Sequence, residues 1–511
     1  MVDSWPARSG RQGRLARTRK CSAGPPGGRG VQVVKQCLPS TIAMILVAST
    51  FAIAVAAGEA KSPHDLPPGL VQPAMAIAEV ATIRMPNVDV AAYRAEDAAL
   101  AQSGQPFPFR FAAGIETAIT PSHEGSWENL PNGWLLWRVR LVSPGALSLN
   151  LWFDRLDLPP GAVLWLYDDS GAMVQGPYTS SDRNALGGLW TPVILGDELA
   201  LELDLPPGAA PAADLRIASV NHGYRSFADD PSATRNKQGS CNIDVICPEG
   251  DEWRDQIRSV ARLTIMGVYL CTGQFLNTTA QDETPYLLTA QHCVENASQA
   301  TSVIAFWNYQ SPACGMLSGG SLTDNQTGAT LVSSWQWRTG SDFSLLLLDE
   351  TPDPSFNVYY SGWDATGDVP LGSVGIHHPS GDEKALALND DPLLATNYYG
   401  NGSHQWEVSE WEQGTTEGGS SGSCMYNPAN RLCVGTLTGG TASCSNPSGY
   451  DIYGRMDAHW TGDGTPAGRL SDWLDPLGSG VLTLAGRDSS SSIFFDGFET
   501  GDTSRWSASS P

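Results

Sequence analysis

A histidine, an aspartate and a serine lie in segments whose pattern is typical of strand ends and tight turns. His292 closes an apolar run, Asp342 precedes another, and Ser421 lies in the glycine-rich segment Gly418–Ser423. A serine hydroxyl becomes a good nucleophile when an imidazole accepts its proton, and a carboxylate orients that imidazole. The pattern therefore predicts nucleophilic catalysis by His292, Asp342 and Ser421.

Glycines around Ser421 favour a turn that can bind an anion. They let the backbone fold tightly and aim amide hydrogens at a developing oxyanion, and we assign the donors to the amides of Gly419 and Ser421. Each signal alone is weak, because such histidines, aspartates and Gly/Ser runs are common in structural roles. The order His–Asp–Ser within one domain strengthens the catalytic interpretation. His377 and His378 have no partners at metal-ligand spacing, so we predict no metal and no cofactor.

The elements that must position these residues lie in a cysteine-rich stretch. Residues 61–237 contain no cysteine, whereas eight follow: Cys241, Cys247, Cys271, Cys293, Cys314, Cys424, Cys433 and Cys444. An even, clustered set in an exported protein predicts four disulfides. Zinc binding is the alternative, but the sequence has no CxxC pair and no nearby His–Cys cluster to support it.

The start of the chain predicts export. Residues 1–60 carry a basic stretch followed by the apolar run Ile42–Ala57. Sixteen apolar residues are fewer than the roughly 20 that span a bilayer, and small residues follow. We therefore expect a signal peptide, cleaved after Ala56 or Ala60, and a secreted bacterial protein without a membrane span.

Composition divides the rest of the chain into three parts. Residues 61–237 begin with an Ala/Pro-rich linker or a few helical turns (61–105) and continue with short alternating strands, which predict a small all-β, sandwich-like domain. Residues 238–485 are again rich in short strands and glycine turns. Residues 486–511 form a low-complexity tail that resembles the tails of exported bacterial proteins, and sorting or surface attachment is the role this suggests.

The overall charge excludes one class of partner. The 511 residues carry a net charge of −24 with 41% hydrophobic residues, which is enough to build cores. Such negative charge repels phosphate backbones, so we expect no nucleic-acid partner. The expected partners are protein or peptide substrates and the protein's own propeptide, and we expect a monomer.

The motifs around the candidate site resemble those of trypsin/chymotrypsin-like serine proteases, and more narrowly of bacterial lysyl endopeptidases. The general resemblance rests on Thr289–Cys293 and Gly419–Ser423. The narrower one rests on Gly239–Asp251, Phe306–Gln310, Ile376–Pro379 and Arg469–Pro476. It covers about residues 238–478. It implies two six-stranded Greek-key β-barrels of the chymotrypsin-like type, with the site in the cleft between the barrels.

The same resemblance implies three disulfides, and two departures from the family pattern matter. The implied pairs are Cys241–Cys444, Cys247–Cys314 and Cys271–Cys293. Cys424 replaces the usual proline after the serine loop, and we interpret Cys424–Cys433 as a fourth bridge across a hairpin. Ser420 replaces the aspartate that receives the new N-terminal ammonium when trypsins are activated, so that switch cannot work in the same way here.

Acidic residues near the serine loop suggest a preference for basic substrates. The candidates are Glu417 and Asp451, and Thr415 and Thr416 are small enough to line a pocket. The resemblance places Asp451 where lysyl endopeptidases carry the acid that binds the substrate ammonium. A desolvated carboxylate binds a lysine or arginine strongly, although Asp451 in a solvated turn and Glu417 facing solvent remain alternatives.

The few lysines lie at informative positions. Between residues 62 and 383 the sequence has one lysine, Lys237, at the junction of the two predicted domains. A protease that cuts after lysine would release itself at Lys237–Gln238, and residues 61–237 would then be a propeptide that assists folding or covers the cleft. Codon bias explains the scarcity but not the position. An independent carbohydrate- or surface-binding domain at 61–237, a protease accepting Arg and Lys equally, and a non-catalytic adhesion or pseudoprotease module remain the alternatives.

Overall fold

The structure is a computed structural model that describes residues 66–71, 74–211, 213–227 and 238–489. The predicted signal peptide, the predicted cleavage residue Lys237 and the tail from residue 490 onwards lie outside the described residues. Within the described ranges, no helix is long and apolar enough to cross a membrane.

The N-terminal region (residues 74–227) is a β-sandwich. With the short helix that precedes it, its helices and strands are α1 (Pro68–Val71), β1 (Thr82–Arg84), α2 (Val90–Gln102), β2 (Phe109–Arg110), β3 (Ala112–Ile119), β4 (Ser126–Asn129), β5 (Leu135–Val142), β6 (Ser148–Asp157), β7 (Val163–Tyr167), β8 (Val174–Tyr178), β9 (Leu189–Trp190), β10 (Ile194–Leu195), β11 (Glu198–Leu205) and β12 (Asp214–Gly223). One sheet has the order β1-β5-β11-β7-β8 with β4 beside β5, and the other has the order β10-β6-β12-β3 with β9 beside β6. Trp137, Leu151 and Leu201 belong to one buried core built from both sheets.

The Ala/Pro-rich stretch before the sandwich contains more structure than a linker. Helix α2 has 13 residues, and the side chain of Asp89 caps it by accepting a hydrogen bond from the backbone N–H of Ala92 at 3.0 Å. Such a cap satisfies one of the free donors at a helix start.

The C-terminal region (residues 238–489) is built mainly from two large sheets. Its helices and strands are β13 (Ile243–Asp244), α3 (Arg254–Ser259), β14 (Val260–Ile265), β15 (Tyr269–Phe275), β16 (Tyr286–Thr289), α4 (Ala297–Ala300), β17 (Ile304–Phe306), β18 (Asn325–Thr327), β19 (Ala329–Trp335), β20 (Phe343–Leu348), β21 (Tyr359–Tyr360), β22 (Trp363–Asp364), β23 (Ser373–His377), β24 (Ala385–Asn389), β25 (Leu394–Thr396), β26 (Gln405–Val408), β27 (Cys424–Tyr426), β28 (Cys433–Gly440), β29 (Asp451–Arg455), α5 (Met456–Thr461), α6 (Ser471–Leu474), β30 (Thr483–Leu484) and β31 (Arg487–Asp488).

Each large sheet has its own buried core, and the two sheets correspond to the two predicted barrels. The first sheet has the order β18-β17-β14-β15-β16-β20-β19, and the second has the order β13-β24-β23-β27-β28-β29-β26-β25 with β22 and β30 at its side. Short flanking strands bring each sheet above the predicted six. Leu263, Leu287 and Leu346 lie in the first core, whereas Trp406 and Tyr453 lie in the second.

Four disulfides lie in the C-terminal region. They join Cys241 to Cys444, Cys247 to Cys314, Cys271 to Cys293 and Cys424 to Cys433, the same pairs as the sequence analysis predicts. The last pair lies across the β27–β28 hairpin, and Cys271–Cys293 ties β15 to the residue after His292.

The N-terminal region contacts the first sheet of the C-terminal region. Strand β2 pairs antiparallel with Tyr269 and Leu270 at the start of β15. The side chain of Asn150 donates a 2.9 Å hydrogen bond to the carbonyl of Gly267, in the turn between β14 and β15. Phe111 and Phe227 pack with Leu270 in a shared apolar cluster. The two regions are thus joined by a strand, a polar contact and an apolar core.

Candidate active site

His292 and Asp342 are brought together by two neighbouring strands. β16 and β20 are antiparallel with Thr289 opposite Ser344, so residues just after β16 lie beside residues just before β20. The Nδ1 of His292 lies 2.8 Å from Oδ2 of Asp342, and the backbone N–H of His292 donates to Oδ1 at 3.0 Å. Both side chains are buried. One carboxylate therefore fixes the position and the tautomer of the imidazole.

The serine loop is held between the two large sheets, by Thr272 of β15 and Leu437 of β28. The backbone N–H of Thr272 donates to the carbonyl of Ser421 at 2.8 Å, and the N–H of Gly422 donates to the carbonyl of Leu437 at 2.8 Å. Gly422 has a φ of 85°, and a Cβ there would lie 2.2 Å from Oγ1 of Thr289. Only glycine fits this close approach, which brings Ser421 to the strand end that carries His292.

The second imidazole nitrogen of His292 is free to act on a serine hydroxyl. Its Nε2 is buried and has no hydrogen-bond partner among the described residues, so the bond to Ser421 is not formed here. Catalytic hydrogen bonds are often long before substrate binds and tighten in the complex. The arrangement can therefore accept a proton at Nε2 while Asp342 holds Nδ1.

The amides of Gly419 and Ser421 remain available to bind an anion. Neither donates to another residue in the described part of the chain. Gly419 has a φ of 97°, and a Cβ there would lie 2.6 Å from the backbone N of Gly381. The turn therefore requires glycine, and it leaves both predicted oxyanion donors unused.

A buried histidine holds the residue before the serine. Oγ of Ser420 lies 2.9 Å from Nδ1 of His377, and both side chains are fully buried. Burial lowers the pKa of His377 to about 3, so the imidazole is neutral. His378 is also buried, with Nδ1 2.9 Å from the carbonyl of Asp382, and burial lowers its pKa as well. The sequence shows this histidine pair but not its contact with Ser420, because the contact crosses from β23 to the serine loop.

Asp451 is a buried carboxylate with one unpaired oxygen. Its Oδ2 accepts hydrogen bonds from Nε1 of Trp411 and Oγ1 of Thr416, both at 2.7 Å. Its Oδ1 is buried and has no partner among the described residues. Burial raises the pKa of Asp451 to about 6, although Trp411, Thr416 and the nearby backbone N–H of Ala442 all oppose the shift. Sequence reasoning found Asp451 and Thr416 but missed Trp411.

The unpaired oxygen of Asp451 faces a space kept open by glycine. A Cβ on Gly440, in the neighbouring strand β28, would lie 2.2 Å from Oδ1 of Asp451. Asp451, Gly440, Thr416 and Ser421 all line one cavity of about 540 Å³. The two glycines at the end of β28 are the sequence signal that could have revealed the free space beside Asp451.

The other two predicted pocket residues have different surroundings. Thr415 is buried and is not among the described residues that line the cavity. Glu417 lines the cavity, but its carboxylate accepts hydrogen bonds from the N–H of Gly239 and from Oγ of Ser380. The structure therefore brings Thr416 to Asp451, and it turns Glu417 towards the start of the C-terminal region.

His292 and two cysteines form a cluster of potential metal ligands, but both sulfur atoms are bonded in a disulfide. Nitrogen and sulfur atoms of His292, Cys271 and Cys293 lie within 4.8 Å of one another. The two cysteines are joined in a disulfide and cannot act as thiolate ligands. This cluster does not fit a zinc site.

The N-terminal region lies over the cavity. Gln105, Pro106 and Phe107 line it together with Ser421 and Asp451. Phe109 follows them and packs on the serine loop, where a Cβ on Gly418 would lie 2.5 Å from its ring. The segment between α2 and β2 therefore covers the space in front of the candidate nucleophile.

Comparison with known proteins identifies both halves of the chain. Residues 83–224 match the model of the lysyl endopeptidase N-terminal domain, and residues 235–454 match that of the lysyl endopeptidase C-terminal domain. A lysyl endopeptidase from Pseudomonas aeruginosa is 29% identical over 367 residues, covering 67% of this chain and 77% of that protein.

Solved serine protease structures show a weaker likeness. A thermostable serine protease, AL20, from an extremophilic microorganism has 13% identity and a TM-score of 0.30, and the match covers 39% of this chain and 92% of that chain. A Glu endopeptidase has 19% identity and a TM-score of 0.27, with coverage of 39% and 85%.

The two-sheet fold, with a buried His–Asp pair beside a glycine-rich serine loop, defines a serine endopeptidase of the chymotrypsin-like class. The family matches are narrower than this class, and together they span both regions of the structure. The chain belongs to the lysyl endopeptidase family.

Proposed function

We propose that this protein is an exported endopeptidase that cleaves peptide bonds after lysine with His292, Asp342 and Ser421 as its catalytic triad. The observation that carries the proposal is the unpaired, buried Oδ1 of Asp451 in the same cavity as Ser421. A lysine side chain entering that cavity places its ammonium at the carboxylate and its carbonyl carbon near the serine.

The chemistry follows from the positions of the three side chains. Nε2 of His292 accepts the proton of Ser421 as Oγ attacks the substrate carbonyl, and Asp342 stabilises the imidazolium through Nδ1. The amides of Gly419 and Ser421 bind the oxyanion that forms. His292 then gives its proton to the leaving amine, and water releases the acyl group in a second round.

The hydrogen bonds to Asp451 favour lysine over arginine. Trp411 and Thr416 both donate to Oδ2, so one oxygen is left for the substrate. A guanidinium binds a carboxylate best through two parallel hydrogen bonds, whereas an ammonium is a compact charge that needs one oxygen. This geometry supports the lysine hypothesis over a protease that accepts both residues equally.

Matched peptide reporters that differ only in Lys or Arg before the scissile bond test this specificity. The enzyme should cleave the Lys reporter faster, and Ser421→Ala should abolish both activities. Thr416→Val removes one of the two hydrogen bonds to Oδ2 of Asp451, so a guanidinium can use both oxygens more easily. The Lys/Arg ratio of kcat/KM should therefore fall. Equal rates in the unmodified enzyme would support the dual-specificity alternative. The absence of any serine-dependent cleavage would support the non-catalytic module.

Self-cleavage after Lys237 is the proposed activation step. Lys237 is the one lysine between residues 62 and 383, and it lies at the junction of the two predicted domains. Sequencing the N-terminus of the mature enzyme should give Gln238. The Ser421→Ala variant should stay uncleaved, and so should Lys237→Ala when no other protease is present. A mature chain that starts elsewhere, or cleavage of the Ser421→Ala variant at Lys237 in purified form, would contradict the proposal.

The N-terminal region is proposed to be an inhibitory propeptide. Its segment Gln105–Phe107 lines the cavity, and β2 pairs with β15 beside the serine loop. The uncleaved Lys237→Ala protein should therefore hydrolyse the Lys reporter slowly, and adding Phe109→Ala should raise that rate. If the uncleaved protein is as active as the mature enzyme, the alternative of an independent binding domain gains support.

A further inference from the structure

The first residue after the proposed cleavage bond is already seated in the protein. Gln238 is 5% exposed, and its backbone N donates to Oδ2 of Asp382 at 3.0 Å. Its side-chain Nε2 donates to the carbonyl of Glu383 at 3.2 Å. The N–H of Gly239 donates to both oxygens of Glu417 at 3.1 and 3.3 Å. Two carboxylates therefore receive the first two backbone nitrogens of the C-terminal region.

These carboxylates flank the loop that carries the oxyanion donors. Glu417 and Ser420 bond to each other across a turn, because the N–H of Ser420 donates to the carbonyl of Glu417 at 3.0 Å and the N–H of Glu417 donates to Oγ of Ser420 at 3.2 Å. On the other side, Asp382 follows Gly381, whose backbone N packs directly against Gly419. Oγ of Ser380 donates to Glu417 at 3.0 Å and links the two sides.

The usual acceptor position for a new N-terminus is occupied by a neutral pair. Ser420 bonds to the neutral imidazole of His377 and carries no charge. Asp382 lies at the backbone N of Gln238 instead, so the chain has an acidic acceptor at a different point of the same loop system.

We propose that cleavage after Lys237 turns the amide of Gln238 into an ammonium that pairs with Asp382, and that Asp382 and Glu417 are positioning residues for the oxyanion loop. The step is a hydrolysis: water adds across the peptide bond, Lys237 keeps a carboxylate and Gln238 gains the amine, which takes up a proton. The inference rests on the proposed cleavage site.

The charges around Gln238 favour an ammonium there. Asp382 and Glu417 accept from the first two backbone nitrogens, and Glu383 is buried beside Asp382. Within the described ranges, the cations near this group are Arg262 and Lys384. Arg262 donates to the carbonyl of Gly381, and Lys384 is fully buried with its Nζ donating to the carbonyl of Ile257 at 2.7 Å.

Both of these cations donate to backbone carbonyls of other residues. Burial lowers the pKa of Lys384 to about 7, and the imidazole of His378 beside Asp382 is kept neutral by its lowered pKa. Arg262 also donates to the carbonyl of Phe227, which belongs to the N-terminal region. A charge-assisted hydrogen bond from an ammonium at Gln238 to Asp382 is stronger than the hydrogen bond that the neutral backbone amide donates before cleavage.

The first test separates the cleavage site from the role of the ammonium. Mass spectrometry of the mature enzyme shows at which residue the chain starts. All kinetic measurements on the enzyme without substitutions use preparations whose N-terminal residue is verified as Gln238. A start elsewhere overturns the activation step together with this inference. A start at Gln238 with the amine cyclised to pyroglutamate, which carries no charge, overturns this inference alone.

The second test moves the ammonium without changing the folded region. In Asn236→Lys/Lys237→Ala the enzyme's own cleavage falls one bond earlier and leaves a single extra alanine before Gln238. We expect kcat to fall at least about tenfold while KM for the Lys reporter changes less, because losing the partner of a buried carboxylate costs several kcal/mol. An unchanged kcat would overturn the proposal.

The third test alters the acceptor. Mature Asp382→Asn should lose kcat to a similar degree, and Asp382→Glu should restore part of it. The activity of the unmodified enzyme should decrease at alkaline pH as the ammonium deprotonates. The pH–activity profile of Asp382→Asn should lack this alkaline limb. A structural role alone would lower stability without removing the limb, and that result would overturn the proposal.

Discussion

Both regions of the molecule bury an aspartate that accepts a hydrogen bond from a tryptophan, and the one in the C-terminal region, Asp451, lines the cavity that Ser421 also lines. In the N-terminal region Asp204 accepts from Nε1 of Trp165 at 2.9 Å, and in the C-terminal region Asp451 accepts from Nε1 of Trp411 at 2.7 Å. Burial raises the pKa of both, and the neighbouring Glu202 adds to the shift of Asp204.

The difference lies in where the compensating cation comes from. Arg138 lies directly opposite Glu202 in the β5–β11 pair, and its charge favours ionisation of both Glu202 and Asp204. No ion pair with Asp451 occurs among the described residues, its Oδ1 has no hydrogen-bond partner there, and the residue lines the cavity. The charge of Asp204 is compensated by Arg138 within the same domain. Asp451 has no such cation among the described residues, so the proposed function assigns its compensation to a cation from the substrate.

The largest expected effect comes from removing the acid that faces the cavity. Asp451→Asn should lower kcat/KM for the Lys reporter on the order of a thousandfold, because a buried cation without its partner costs about 3–5 kcal/mol. Asp204→Asn is the matched control and should leave the mature enzyme's kcat/KM within about twofold, since Asp204 lies in the proposed propeptide. A comparable loss of kcat/KM in both variants would contradict the assignment of Asp451 to substrate binding and of Asp204 to the structure of the N-terminal region.

The internal cation can be removed in turn. Arg138→Met in the uncleaved Ser421→Ala background should destabilise the N-terminal region by about 3 kcal/mol, because the buried carboxylates near it lose their cation. Hydrogen exchange of the β5 and β11 amides measures this locally. Arg216→Met, which removes a partly exposed pair with Asp154, should destabilise the region much less than Arg138→Met. Equal effects would contradict the assignment of Arg138 as the compensating charge.

Covalent links separate the two regions further, since the described disulfides all lie in the C-terminal one. Cys424→Ala/Cys433→Ala should lower the free energy of unfolding by about 2–3 kcal/mol and leave kcat nearly unchanged. Cys271→Ala/Cys293→Ala should also lower kcat, because this bridge holds the residue after His292. Urea unfolding and Lys-reporter kinetics measure the two effects. Equal kcat values in both variants would show that the bridge beside His292 does not position it.

The smallest expected effect is the pH dependence of cation binding at Asp451. Burial raises its pKa to about 6 from 3.8, so the group stabilises the fold at low pH and this contribution is lost as the pH rises through about 6. A bound cation offsets that loss. Butylammonium should therefore bind the mature enzyme about tenfold more weakly at pH 5 than at pH 8, since one pH unit below the pKa leaves about a tenth of the carboxyl ionised. Calorimetry measures this, and Asp451→Asn should bind weakly at both pH values.

Local patterns were enough to locate His292, Asp342 and Ser421 in the sequence, because each lies at a strand end or in a turn that short-range rules describe. The all-β class followed from short alternating runs. Contacts that depend on long-range pairing were out of reach: Ser420 with His377, Trp411 with Asp451, and Gln238 with Asp382. In each case the partners lie on segments that only the assembled sheets bring together.

The cover over the cavity was also not predictable in detail. The stretch 61–105 was predicted to be a linker or a few helical turns, and helix α2 agrees with the second alternative; the pairing of the following β2 with a strand of the other region was not predicted. A two-residue strand such as Phe109–Arg110 has no pattern of its own, and its conformation is set by the partner strand.

The pairing of β2 with β15 has a consequence for how much enzyme is free after activation. Residues 62–236 contain no lysine, so an enzyme that cleaves only after lysine cannot degrade the piece it cuts away. Under the proposed self-cleavage, each activation event would yield one protease and one intact competitor for its own cleft. The free fraction would then depend on concentration: it would stay low where the protein accumulates and rise on dilution, or once a protease of different specificity destroyed the competitor.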